Sequence, residues 1–98
     1  MNFKIKFTPE ADKQLSELES NHSKRAAYKA VLKCLGYMET NLRHNSLQTH
    51  EFTSLKGPKG EKVFESYAQQ NTPGAYRIFW YYGPGRTELT IAAIIPHP

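Results

Sequence analysis

The sequence predicts an α+β domain of order β-α-α-β-β-β, with a helical hairpin packed on one face of a small, mainly antiparallel four-stranded sheet. Three observations carry this reading. The chain opens on one alternating segment, continues through two stretches of helical periodicity, and closes on three strand-like segments separated by turn chemistry. Its 98 residues fit one domain, residues 1–98, and 39% apolar content supports a small core.

In "NFKIKF", Phe3, Ile5 and Phe7 point one way and Lys4 and Lys6 the other, as in a strand. Thr8-Pro9-Glu10 then starts a helix: Thr8 caps, Pro9 suits the first helical position, and Glu10 meets the positive end of the dipole. Ala11, Leu15 and Leu18 form its apolar stripe. "ESNHS" interrupts the pattern, and Ser23 is the expected cap of a second helix. There Ala27, Val31, Cys34, Leu35 and Met38 share one face, with Arg25, Lys29 and Lys33 opposite. Cys34 thus reads as core and not as a reactive thiol.

Residues 39–61 are polar and read as irregular, with "LKGPKGEK" a flexible basic loop. The strands "KVFESYAQ", "AYRIFWYY" and "ELTIAAII" follow, joined by "QNTPG" and "GPGRT". Such short loops join antiparallel neighbours, and the first strand pairs in the same sheet, in parallel with a later one. Within "AYRIFWYY", Tyr76, Ile78, Trp80 and Tyr82 lie on one face, and Arg77, Phe79 and Tyr81 on the other. With one face used for the core, the other is expected to offer flat aromatic side chains as a binding surface.

The net charge of +4 is uneven: residues 1–20 sum to −1, residues 21–62 to +5, and residues 63–98 to zero. Positive charge concentrated in this way attracts polyanions such as RNA or DNA. The longest apolar run, residues 91–95, is far too short to span a bilayer, so no membrane association is expected. The start of the chain lacks the apolar region of a signal peptide, and a single cysteine makes no internal disulfide, which points to the cytoplasm.

Arg77 stands in the middle of an apolar strand, where a guanidinium is costly unless paired. Either Glu65 on the preceding strand pairs with it structurally, or Arg77 faces a groove and holds a phosphate, with Glu65 as general base. His97, between two prolines that restrict its backbone, is either a mobile chain end or the proton-transfer group that completes a trio. An Arg, a carboxylate, a His and nearby lysines suit one metal-free reaction, attack of an RNA 2′-OH on its neighbouring phosphate. Tyr67, Trp80 and Tyr81 could stack splayed bases. His44 and His50 with Glu51 do not match common zinc spacings, and "GPKGEK" lacks the phosphate-loop pattern. Neither a metal nor a cofactor is expected.

"FTPEADKQLSEL", "LKG", "VFESY", "GAYRIFWYY" and "TIAAIIPHP" occur in an order that resembles the RelE/ParE superfamily of bacterial type II toxins, over nearly the whole chain. Its RelE branch implies a ribosome-dependent mRNA endoribonuclease, neutralised by an antitoxin and found as a homodimer or in a toxin–antitoxin complex. Arg77 matches the strand arginine of that branch, and His97 the near-terminal histidine of its YoeB-like members. Glu65 falls where some members carry a strand Glu, while Glu51, just before "LKG", is the rival base. Lys56, Lys59 and Lys62 fit a phosphate-binding loop, and Arg25, Lys29 and Lys33 would dock on ribosomal RNA. The ParE branch shares the fold but inhibits DNA gyrase without cutting RNA. A degenerate member would only bind its antitoxin.

Overall fold

A computed structural model describes residues 2–97. The elements run β1 (Lys4–Phe7), α1 (Pro9–Ser20), a 3₁₀ turn (His22–Lys24), α2 (Arg25–Thr40), a second 3₁₀ turn (Asn45–Leu47), β2 (His50–Lys56), β3 (Lys62–Tyr67), β4 (Tyr76–Tyr82) and β5 (Glu88–Pro96). The class and element order are those expected, with one strand added. Within the stretch read as irregular, residues 50–56 form β2, so the sheet has five strands and not four, in the order β1-β5-β4-β3-β2. β1 runs parallel to β5, with Ile5 opposite Leu89, and the other pairs are antiparallel.

The start of α1 is as expected. Thr8 Oγ1 accepts from Ala11 N at 3.1 Å, and Pro9 occupies the first turn. Thr8 also ties this start to β5: its backbone N donates to Ile91 O, and its hydroxyl donates to Ala92 O at 3.2 Å. The second contact uses a register shift in β5, where Phe79 faces Ala93 but Trp80 faces Ile91, leaving Ala92 unpaired with β4. Beyond the end of β1, Gln14 covers the bare edge of β5 by accepting from Ile94 N at 2.7 Å.

Ser23 does not cap α2. Asn21 accepts from Ser23 N at 3.1 Å and opens the 3₁₀ turn, and α2 then begins at Arg25 with no side-chain cap bond. The Ser23 hydroxyl itself donates to Asn21 Oδ1 at 2.7 Å, so it is engaged upstream and not on the first turn of α2.

The core lies between the helices and one face of β1, β5 and β4. Ala11, Leu18, Ala27, Val31, Cys34, Leu35 and Met38 meet Ile78, Trp80, Leu89, Ile91 and Ile94 there. Burial pushes the Cys34 thiol up to about 12, so it stays protonated and inert at neutral pH. Trp80 is 1% exposed, and its indole N–H donates to Ser66 Oγ at 2.8 Å. Ser66 in turn shares a 2.7 Å hydrogen bond with Thr49, so this buried polar chain is satisfied. No helix among the described residues is long and apolar enough to cross a membrane.

Candidate functional site

Strand alternation sends Val63, Glu65 and Tyr67 of β3, and Arg77, Phe79 and Tyr81 of β4, to the face away from the helices. Register then brings charge together. Tyr67 lies opposite Arg77, and Glu65 lies opposite both Phe79 and, on β2, His50.

Arg77 Nε is 3.5 Å from Glu65 Oε2, with both side chains about nine-tenths buried. The guanidinium carbon sits 3.7 Å from the centre of the Tyr67 ring, and Nη1 donates to Gln69 O at 2.6 Å. These contacts hold the guanidinium plane and leave Nε off line from the carboxylate. Among the described residues it is the buried side-chain polar atom without a hydrogen bond. The pairing of Arg77 with Glu65 considered from sequence is present.

The other oxygen of the carboxylate meets a residue that the sequence reading weighed only as a metal ligand. His50 Nε2 is 2.9 Å from Glu65 Oε1, its Nδ1 is 2.9 Å from Gln48 O, and its ring stands edge-on to Tyr67 at 5.8 Å. A usable signal was present in "THEFTS", where His50 and Phe52 alternate with Glu51 and Thr53.

Glu51 does not join the cluster. It lies opposite Phe64 on the other pleat, 3.9 Å from Lys56 Nζ, because adjacent strand residues face opposite sides. His97 continues the β4–β5 ladder, its backbone N donating to Ala75 O at 2.7 Å, and its side chain is exposed. Arg77 faces Ile95, so alternation sets His97 and Arg77 as diagonal neighbours, with a spacing of about 7–8 Å between Cα atoms.

Lys56, Lys59 and Lys62 are exposed around the β2–β3 turn, which closes through Gly57 and Glu61; Lys59 N donates to Glu61 Oε1 at 2.7 Å. Lys62 is three residues from Glu65, roughly 10 Å along the strand. Arg25, Lys29 and Lys33 are exposed on α2, on the other side of the sheet from Arg77. Of the three aromatic residues assigned to base stacking, two are buried. Trp80 belongs to the core, and Tyr81, 8% exposed, is covered although no helix packs on its face. Phe52 of β2 packs against the neighbouring Phe79 at 4.9 Å, so the added strand helps to close this face. Tyr67 is half-buried and lies beside the cluster.

A cleft of about 730 Å³ lies elsewhere. It opens on the helix side between the end of α2 and the sheet, lined by Phe3, Arg43, His44, Phe64 and Tyr82 among others, with Trp80 in its floor. It holds none of the Glu65, Arg77 or His97 side chains. Among the described residues no group of three or more His, Cys, Asp or Glu is placed to hold a metal.

No family model matches the sequence, and no curated protein matches it. Solved structures do match in fold. An archaeal RelE from a RelE–RelB complex of Pyrococcus horikoshii is 15% identical, with TM-score 0.65, covering 98% of this chain and 96% of its own. A YoeB dimer from Staphylococcus aureus gives 16% identity and TM-score 0.62 over the full length of both chains. A YoeB/ParE toxin from Agrobacterium tumefaciens gives 8% identity and TM-score 0.69, covering 98% of this chain and 100% of its own. The chain therefore has the RelE/ParE toxin fold. The particular activity must be argued from its own residues.

Proposed function

We propose that this protein is the toxin of a type II toxin–antitoxin pair and that it cleaves mRNA on the ribosome. The observation that carries the reading is the placement of Arg77. It is held on the face of the sheet that the helices leave open, with Glu65 on one side and His97 on the diagonal of the other. In this reading a scissile phosphate docks over the guanidinium, which stabilises charge gathering on the phosphoryl oxygens. The 2′-OH proton leaves toward the Glu65 side, O2′ bonds to phosphorus, and the P–O5′ bond breaks. His97 protonates the departing oxygen. The products are a 2′,3′-cyclic phosphate and a 5′-hydroxyl end. Lys56, Lys59 and Lys62 guide the RNA backbone, Tyr67 supplies a stacking edge, and Arg25, Lys29 and Lys33 contact ribosomal RNA.

The partners proposed are a cognate antitoxin, the ribosome with its mRNA, and a second copy of the chain, in the cytoplasm. The RelE–RelB complex and the YoeB dimer among the structural matches support the antitoxin and the homodimer. The test is induction in growing cells. Rapid loss of translation with mRNA cut in its coding frame is expected, and intact mRNA would overturn the reading.

One observation favours a second reading. Arg77 is buried in an ion pair, as a structural arginine would be, which fits a ParE-like inhibitor that binds gyrase without cleaving RNA. That reading expects a DNA-damage response and uncut mRNA.

A further inference from the structure

We infer that His50 is the group that accepts the 2′-OH proton, and that Glu65 positions it. The inference rests on the RNA-cleavage reading and changes the assignment within it.

Glu65 is poorly placed to be the base itself. Its side chain is 9% exposed, one oxygen contacts His50 at 2.9 Å, and the other faces Arg77 at 3.5 Å. His50 is 48% exposed and stands between this buried carboxylate and solvent. One ring nitrogen is anchored inward and the other turned outward, the arrangement of a base oriented by a third group.

The outward nitrogen is equally informative. Nδ1 lies 2.9 Å from the carbonyl of Gln48, a residue in the left-handed region at φ 45° on the exposed turn before β2. A carbonyl and a carboxylate both only accept, so a ring with a hydrogen on each nitrogen satisfies both contacts, while a neutral ring satisfies one. The groups facing His50 are Glu65 and Tyr67 from β3, with Arg77 of β4 behind Glu65; Glu51, its neighbour on β2, faces the other pleat.

In the step proposed, O2′ displaces the Gln48 carbonyl from Nδ1; neutral His50 keeps its Nε2 hydrogen on Glu65 and takes the 2′-OH proton on Nδ1. The O2′–P bond forms as the P–O5′ bond breaks, and the proton given to the 5′ oxygen comes from His97. The new Nδ1–H rests on the Gln48 carbonyl until it is returned to solvent.

The experiment uses ribosomes programmed with a defined mRNA and the purified full chain, with cleavage followed by primer extension across pH. His50→Gln is expected to slow cleavage a hundredfold or more at saturating ribosome, with little change in the concentration giving half-maximal rate. Added imidazole should partly restore His50→Ala, which a purely structural role would not allow. Glu65→Gln should slow cleavage at saturating ribosome with little change in the concentration giving half-maximal rate, because the ring loses the carboxylate that orients it. Wild-type cleavage by His50→Gln, with Arg77→Lys inactive, would overturn this assignment and leave the function standing. Failure of the wild-type chain to cut any ribosome-bound mRNA would overturn both.

Discussion

The two faces of the sheet use the same strands for opposite purposes. Along β4, Ile78 and Trp80 turn toward the helices and are sealed among apolar side chains, and their polar demand is met by one indole N–H on one serine. One residue away on either side, Arg77 and Phe79 turn to the uncovered face, where burial comes from neighbouring strands and includes an arginine and a glutamate. The first face is optimised for transfer of apolar surface out of water. The second holds ionised groups in a nearly dry place, which is costly for stability and useful for chemistry. The comparison teaches that the helix side should answer to mutation through stability and the open side through activity.

The largest effect is expected on the helix side. Trp80→Ala should cost about 3–5 kcal/mol, since it empties the centre of the core and strips Ser66 of its donor. Denaturant melts read this directly, and a loss below about 1 kcal/mol would break the division between faces. On the open side, Arg77→Met alone leaves Glu65 with His50 as its remaining partner and should cost roughly 3 kcal/mol. Adding Glu65→Gln removes the orphaned charge, so the double variant should melt within about 1–2 kcal/mol of wild type yet remain inactive. A double variant that is still toxic would mean that the pair serves the fold alone.

Much of this division was legible beforehand. The alternation of "AYRIFWYY" separates Arg77 from Trp80, and the cap at Thr8 and the stripe of α1 follow from local chemistry. What the sequence hid was non-local. β2 is a polar edge strand, exposed or half-buried throughout, so hydrophobic patterning had little to register. Without β2 there was no register, and without register nothing paired His50 with Glu65, fifteen positions away. The same gap made Glu51 a plausible base, because a strand's alternation decides its face only once the strand is known. Burial of Tyr81 was missed for a related reason, since Phe52, which helps cover this side, lies on that strand.

Smaller effects sharpen the comparison at the surface. Charge reversal at Lys29 and Lys33 should leave stability within about 0.5 kcal/mol of wild type. Co-sedimentation with ribosomes should weaken, most visibly at moderate salt. Unchanged binding would discard the α2 surface as a contact.

The smallest effect belongs to the β1–β5 end. A hydrogen bond from Gly85 N–H holds the Glu88 carboxyl below its ordinary value, and Lys6 at 3.3 Å adds to this against partial burial. A carboxyl depressed in the folded state stabilises above its unfolded value, and that contribution fades as pH falls through the folded one. The difference in Tm between wild type and Glu88→Gln should therefore be small at neutral pH and disappear in acid. A difference that grows in acid would contradict this.

The central claim, that the open face cuts RNA while the helix face holds the fold, meets its most direct test in one comparison. Wild type and the Arg77→Met, Glu65→Gln double variant, matched by circular dichroism and melting, are each added to ribosomes stalled on one mRNA, and the 3′ ends are mapped. Discrete cuts within the coding frame are expected from wild type and none from the folded double variant. Equal cutting by both, or by neither, would contradict it.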